Sequence, residues 1–278
     1  MTAPFSVLLP VYRGDRPDYL RRSFRSVVED QEVRPSEVVI VRDGPVGEEL
    51  SRTLTELTSR STVPVVRVDL AENVGLAFAL EAGLAACSHE IVARQDADDV
   101  SLPHRFAVQV PLVDGGLDVV GSAIEEFSGE DEEPGAGLVR VPPLSAEEIA
   151  DTSRFASPFN HPTVVFRRSV IAAVGGYEDL PLMEDYWLFA RLVTHRARMA
   201  NVAEPLVRYR VGAGAYARRG GARLLRSELE LQRRLRREGF TTLGQAARNV
   251  AVRGGYRLVP ETVRRNLYRT WVRLRRSG

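Results

Sequence analysis

The sequence predicts an α/β fold built on a mostly parallel sheet flanked by helices. Three observations carry that reading. Short β-branched runs of strand length alternate with longer amphipathic stretches over the first half of the chain, and each connection between successive runs is too long for a hairpin. An acidic run, Asp96-Ala97-Asp98-Asp99, falls where the fourth strand ends. Strands joined by helical crossovers pair in parallel with a right-handed connection, and ligands of such sheets bind beyond the strands' carboxyl ends.

In order, residues 5–12 read as a buried strand, 19–31 as a helix, 37–44 as a second strand and 48–60 as a helix. Residues 63–70 form a third strand, 75–88 a helix, and 89–99 a strand running into the acids. The predicted ligand edge is therefore Pro10 to Arg13, Arg42 to Gly44, Leu70 to Gly75 and Asp96 to Asp99. Beyond it come a helix over 103–116, a strand over 117–124 and an acidic, glycine-rich excursion over 125–137 expected to be a mobile loop. Residues 160–177 give a strand and a short helix ending at Gly175 and Gly176. A helix over 183–195 opens on Glu184 and Asp185, with Trp187, Leu188 and Leu192 on its apolar side. From Ala217 the chain turns to arginine-rich helices, so we expect one domain over 1–216 and a basic helical extension over 217–278.

With 278 residues and 44% apolar content, the chain can bury the core of one large domain with an appendage. It has no apolar run of membrane-spanning length and no signal-peptide pattern at its start, and it reads as cytoplasmic. The single cysteine, Cys87, falls in a helix as a small buried hydrophobe and excludes an internal disulfide. The net charge of +1 hides an asymmetry: residues 217–278 hold 17 Arg and 4 Glu, whereas residues 1–216 hold 21 Arg against 33 acids. Such a basic end suits an anionic partner. Val263, Leu267 and Trp271 recur there at helical spacing among arginines, a pattern that fits either an anionic membrane surface or packing onto the domain. Few aromatics and no reader motif argue against nucleic acid.

The acidic run offers hard oxygen ligands that suit Mg2+ or Mn2+ holding a diphosphate; a solvated turn capping the next helix uses the same residues. Neither Pro10-Val11-Tyr12-Arg13 nor Arg42-Asp43-Gly44-Pro45 is glycine-rich, which argues against dinucleotide and P-loop sites. An aromatic at one strand end and an acid at the next can hold a base and its ribose, although Asp43 also suits simple turn chemistry. Glu184 and Asp185 are favoured at a helix start by the dipole, and there a carboxylate can also remove an acceptor's proton.

Six ordered segments, SVLLPVY, VRDGP, ENVGLAFALEAGL, QDADD, NHPTVVFRR and MEDYWLFARL, together resemble the family 2 glycosyltransferases of GT-A fold, most nearly the amylovoran-type exopolysaccharide enzymes. The resemblance implies inverting transfer of a sugar from a nucleoside-diphosphate sugar, UDP-linked, to a hydroxyl of a glycan or lipid-linked acceptor. It implies a nucleotide-sugar half over about 1–122 and an acceptor half over about 123–216. Val11, Tyr12 and Asp43 would contact base and ribose, and Asn73, Gly75 and Leu76 would lie near the nucleotide. Asp98 would be the main ligand of Mn2+ or Mg2+, with Asp96 on the ribose or a metal-bound water and Asp99 supporting. Asp185 would be the catalytic base oriented by Glu184, and Asn160, His161 and Trp187 would stand on the acceptor side. Two departures stand out: Arg42 occupies a position where the family often has an acid, and the third crossover lacks its usual arginine. Diphosphate contacts would then fall to Arg94, Arg210 or the Arg218-Arg219 pair. Two rival readings are weaker: a nucleotidyltransferase would want a glycine-rich first loop, and a non-catalytic binder would have no need of Asp96, Asp98 and Asp185.

Overall fold

A computed structural model describes residues 2–129, 135, 137–211 and 222–255. The chain divides into two compact units, Met1–Asp179 with Glu184–Arg210, and Leu180–Met183 with Val211–Gly278. The first unit opens with the predicted alternation: β1 (Phe5–Tyr12), α1 (Pro17–Val28), β2 (Glu37–Asp43), α2 (Glu48–Arg60), β3 (Val65–Asp69), α3 (Leu76–Ala86) and β4 (Ile91–Arg94). Pro17 lies in the first turn of α1, where its missing N–H costs nothing. There follow β5 (Val100–Ser101), α4 (Arg105–Asp114), β6 (Val119–Phe127), β7 (Leu138–Arg140), α5 (Ala146–Ser153) and a 3₁₀ turn over His161–Thr163. The unit closes with β8 (Val165–Arg167), α6 (Arg168–Ala173), α7 (Glu184–Thr194) and β9 (Met199–Arg210).

Among the described residues, nine strands join one sheet in the order β3-β2-β1-β4-β8-β6-β9-β5, with β7 beside β6. The first four strands pair in parallel as predicted, and β6 pairs with β9 the same way. Antiparallel pairing enters with the short strands β8, β5 and β7. The register brings Tyr12 opposite Asp43, so β1 and β2 end flush, while β4 leaves the sheet just after Arg94, opposite Leu8. Two findings depart from the sequence reading. The excursion begins later than expected, because Glu125, Glu126 and Phe127 continue β6 against β9; most of the remainder lies outside the described residues. The twelve-residue β9 went unrecognised because Ala203-Glu204-Pro205 interrupts its apolar run, and the β6–β9 register shifts there.

Strand side chains alternate between the two faces, so the sheet carries a core on each side. Leu8, Val39, Val41 and Val92 pack with Leu80 and Leu84 of α3 and with Leu188 and Leu192 of α7. Val7, Leu9, Val38 and Ile40 pack with Phe24 of α1, Leu54 of α2 and Val110 of α4. The near-continuous apolar runs of β1 and β2 follow from being covered on both faces. Helix α3 lies close on the sheet at Gly83, where any side chain would overlap Leu8 and Val41.

In the second unit α8 (Ala222–Arg237) precedes α9 (Leu243–Asn249), which runs into a π-helical turn over Val250–Gly254. Thr242 and Gln245 form a reciprocal cap on α9. The buried Glu228 pairs with Arg253 at 3.0 Å and accepts from Gln232 at 2.9 Å. Among the described residues no helix is long and apolar enough to cross a membrane. The basic amphipathic stretch over 261–278 and the Arg218-Arg219 pair lie outside the described residues.

Overpacking makes the α3 contact sharply testable. Gly83→Val should destabilise the fold by about 1–3 kcal/mol, read as a lower urea midpoint, whereas an unchanged midpoint would mean that α3 does not sit this close to β1 and β2.

Candidate active site

The acidic run turns at the end of β4. Asp99 N–H donates to the Asp96 carbonyl at 3.3 Å, and the carboxylate oxygens of Asp96, Asp98 and Asp99 come within 4.8 Å of one another. Asp96 and Asp98 are half-buried and Asp99 is fully buried. Burial first, then the charges of Asp98 and Asp96, push the Asp99 carboxyl well above the usual carboxylate range. Asp99 Oδ1 accepts the Arg210 backbone N–H at 2.9 Å, while its buried Oδ2 has no hydrogen-bond partner. An all-carboxylate set with an orphaned buried oxygen fits a hard divalent cation, and Mn2+ or Mg2+ satisfies that chemistry. Arg210 also donates from Nε to the Asp98 carbonyl at 2.8 Å, with its guanidinium stacked on Tyr19 and Phe127 at 3.8 and 4.4 Å from the ring centres.

A second element of the same edge is built on Asp43. Its Oδ2 accepts from Asn73 Nδ2 at 2.7 Å and Gly75 N–H at 3.1 Å, and its Oδ1 from Val74 N–H at 2.7 Å. Asp43 therefore moors the loop that starts α3 and brings Asn73, Gly75 and Leu76 up to the strand ends. Gly44 lets the two segments touch: its φ is +82°, and a Cβ there would lie 2.5 Å from Asn73 N. Tyr12 projects from the end of β1, nearly half exposed, above a turn closed by Tyr12 N–H donating to Asp15 Oδ2 at 2.8 Å; Val11 beside it is buried. Arg42 pairs with Asp69 at 3.2 Å.

Arg94 links these acids to α7. It is 3% exposed, and its Nη2 meets Asp96 Oδ1 at 2.5 Å. Burial opposes its charge, but Asp96 first, then Tyr177, Asp99 and Asp185, hold its pKa above the ordinary value. Glu184 and Asp185 in turn act on Tyr177, whose hydroxyl is pushed up chiefly by burial. Asp96, Asp99 and Asp185 thus all act on one buried guanidinium, with Glu184 buried next to Asp185 and Asp185 half-buried. His161 is buried, with Nε2 2.9 Å from the Tyr177 hydroxyl, and burial followed by Arg94 drives its pKa well below the ordinary value. It is a satisfied neutral histidine of the core. Asn160 donates to the Ser122 carbonyl at 2.9 Å, and Trp187 is buried against Arg191. Of the arginines expected at the diphosphate, Arg94 and Arg210 both serve the acidic turn.

Several contributors escaped the sequence reading. Arg191 donates to the carbonyls of Val174 and Gly176 at 2.6 and 2.5 Å and pairs with Glu178, bracing from within α7 the turn that precedes it. Glu81 of α3 accepts Tyr177 N–H at 2.6 Å. Gln95 and Ser23 hold the acidic turn from beneath, with Ser23 Oγ donating to the Asp96 carbonyl at 2.6 Å. The adjoining pairs Gly175-Gly176 and Glu184-Asp185 marked this neighbourhood, but such long-range partners carry no local spacing.

Comparison with known proteins meets the same residues. Residues 6–175, which contain β1, the Asp43 loop and the acidic turn, match the sequence profile of "Glycosyl transferase family 2". The chain belongs to this family, and it is a transferase. It is 35% identical over 269 residues to the amylovoran biosynthesis glycosyltransferase AmsE of Erwinia amylovora, covering 95% of this chain and 97% of that protein. It is 32% identical over 275 residues to the UDP-Gal:alpha-D-GlcNAc-diphosphoundecaprenol beta-1,3-galactosyltransferase of Escherichia coli, covering 98% of each. Among solved structures, the mannosyltransferase PcManGT from Pyrobaculum calidifontis in complex with GDP-Man and Mn2+ has a TM-score of 0.62 at 17% identity, over 98% of this chain and 84% of that one. S. aureus TarS 1-349 in complex with UDP-GlcNAc has a TM-score of 0.62 at 16% identity, over 82% of this chain and 65% of that one. These structural likenesses establish the GT-A fold of the family. Membership leaves the nucleic-acid and non-catalytic readings without support.

The buried neutral His161 gives a pH test with a definite sign. Its folded pKa lies below its unfolded one, so the unfolded chain takes up the proton first, and stability falls as pH drops below about 6.5, by up to about 1.4 kcal/mol per unit. Urea midpoints measured between pH 7.5 and 5 should fall more steeply for the wild type than for His161→Gln; parallel curves would mean that the ring protonates freely in the folded state.

Proposed function

We propose that this glycosyltransferase moves a hexose from a UDP-linked donor to a hydroxyl of a lipid-linked glycan acceptor, with inversion at the anomeric carbon and with a divalent cation, in the synthesis of a cell-surface polysaccharide. One observation carries the reading: the buried guanidinium of Arg94 pairs with Asp96 of the acidic turn, and the charge of Asp185 also acts on it. A donor diphosphate needs cations, and an acceptor hydroxyl needs a base, within one sugar's reach of each other. Two relatives agree with the donor and the acceptor, one named for UDP-Gal and a diphosphoundecaprenol-linked sugar and the other for amylovoran biosynthesis.

In this reading Tyr12 stacks on the base beside Val11. Asp43 holds Asn73, Gly75 and Leu76 against the nucleotide, so that the positive end of α3 faces its phosphates. Asp98 is the main ligand of Mn2+ or Mg2+, with Asp96 on the ribose or a metal-bound water. The cation's contribution is to neutralise the charge that builds on the departing diphosphate. Asp185 accepts the proton of the acceptor hydroxyl as its oxygen bonds to the anomeric carbon, and the bond to the diphosphate oxygen breaks on the opposite face, so that UDP leaves with the electron pair. Glu184 orients the base, and Asn160, His161 and Trp187 shape the acceptor side from the core. A lipid-linked acceptor brings this cytoplasmic enzyme to the inner face of the membrane, where its arginine-rich end meets anionic headgroups.

Calorimetry with UDP and GDP, each with and without Mn2+, tests the donor side. Wild-type protein should bind UDP more tightly with Mn2+, and Asp98→Ala should lose that increment; equal binding with and without metal would refute a cation held at this turn. On the acceptor side, Asp185→Asn should lower kcat by about 10²- to 10⁴-fold with UDP binding unchanged. Near-normal turnover by that variant would move the base elsewhere.

A further inference from the structure

Arg105, in the first turn of α4, is fully buried. Each of its five N–H groups has an acceptor, and all are neutral. Nε donates to Gln109 Oε1 at 3.2 Å; Nη1 donates to Gln95 Oε1 and Ser101 Oγ, both at 2.8 Å; Nη2 donates to the carbonyls of Arg94 at 2.7 Å and Pro162 at 3.2 Å. A buried guanidinium is costly, and neutral acceptors return less than a carboxylate would. Burial, followed by the like charge of Arg94, lowers its pKa to about 9, with Asp99 and Asp96 acting in the opposite direction. It is therefore still charged at neutral pH.

The acceptors it chose define what it holds. The Arg94 carbonyl is the last of β4 before the acidic turn, and Ser101 follows the turn in β5. Gln95, fixed by Arg105 through its carbonyl oxygen, turns its amide upward to donate to the backbone carbonyls of Asp96 at 3.2 Å and Asp99 at 2.9 Å. Both ends of the carboxylate turn thus hang from a single side chain, one residue removed. The Pro162 carbonyl adds the loop that carries Asn160 and His161, and Gln109 extends the lattice to the carbonyls of Val120 and Thr163.

We infer that Arg105 is a positioning residue for the cation: it sets the spacing and the electrostatic background of Asp96, Asp98 and Asp99 without touching any of their carboxylates. This rests on the proposal that the acidic turn holds a divalent cation. A fixed positive charge beneath three clustered carboxylates lets them stay close before the cation arrives, and a rigid five-bond anchor keeps them at cation-binding separation. Lysine, with three donors and no planar fork, cannot reproduce that anchor.

The test is the Mn2+ concentration that half-saturates UDP binding, measured calorimetrically at fixed UDP for wild type, Arg105→Lys and Ser101→Ala. Val110→Ala, a cavity variant on the buried face of the same helix, serves as a control for stability alone. Supports of metal ligands typically cost about 10- to 100-fold in metal affinity when altered. The Mn2+ requirement should rise by about that much in Arg105→Lys, more modestly in Ser101→Ala, and not in Val110→Ala even where its melting temperature falls further. The milder Ser101→Ala keeps the test decisive if Arg105→Lys folds poorly. An unchanged Mn2+ requirement in folded Arg105→Lys or Ser101→Ala overturns the inference and leaves the metal reading intact. A rise shared by Val110→Ala reduces Arg105 to a stability residue and overturns it too. A wild-type protein whose UDP binding ignores Mn2+ removes both.

Discussion

Three carboxylates within 4.8 Å of each other are the constraint around which the rest of the site is arranged. At 4 Å and an effective dielectric of about 20, two like charges repel by about 4 kcal/mol, so such a cluster persists only with counter-charge and a stiff backbone. The protein supplies both. Arg94 pairs with Asp96, Arg210 grips the Asp98 carbonyl and the Asp99 carboxyl, and burial with the charges of Asp98 and Asp96 pushes the Asp99 carboxyl well above the usual carboxylate range. The sheet register then decides where the cluster faces, because β1, β2 and β4 end on one edge and their crossovers return on the other.

The division of labour among the acids follows from what each already does. Asp43 stands at the end of a strand like the acidic turn, yet both its oxygens are engaged by the 73–75 loop, which they hold in place. Arg42, standing where the family often has an acid, turns to Asp69. Asp185, the proposed base, is half-buried and lies within the field of Arg94. Its neighbour Glu184 is buried. Chain order alone does not distinguish these environments.

Much of the fold was legible. Residues 5–12, 37–43 and 48–60 form the expected elements almost to the residue, because apolar runs covered on both faces and a 3.6-residue helical period are local signals. The acidic turn and the helix opening on Glu184 were legible for the same reason. What stayed hidden is set by distant partners. β9 is interrupted in sequence by Pro205 and becomes continuous only through a register shift against β6. Arg105 reads locally as one more charged residue at a helix start, and nothing nearby says that it is buried with five acceptors from four segments. Arg210 likewise resembles part of a basic tail until β9 delivers it to the acidic turn.

A divalent cation held at the turn after β4, between the donor diphosphate and Asp185, is the centre of the proposed mechanism. The most direct measurement is the anomalous scattering of crystals grown with Mn2+ and UDP. With the cation at this turn, a manganese peak is expected bonded to an Asp98 carboxylate oxygen and to the diphosphate, with Arg105 unmoved beneath the turn. A well-ordered UDP with no manganese at Asp98, or a manganese bound away from the acidic turn, would contradict it.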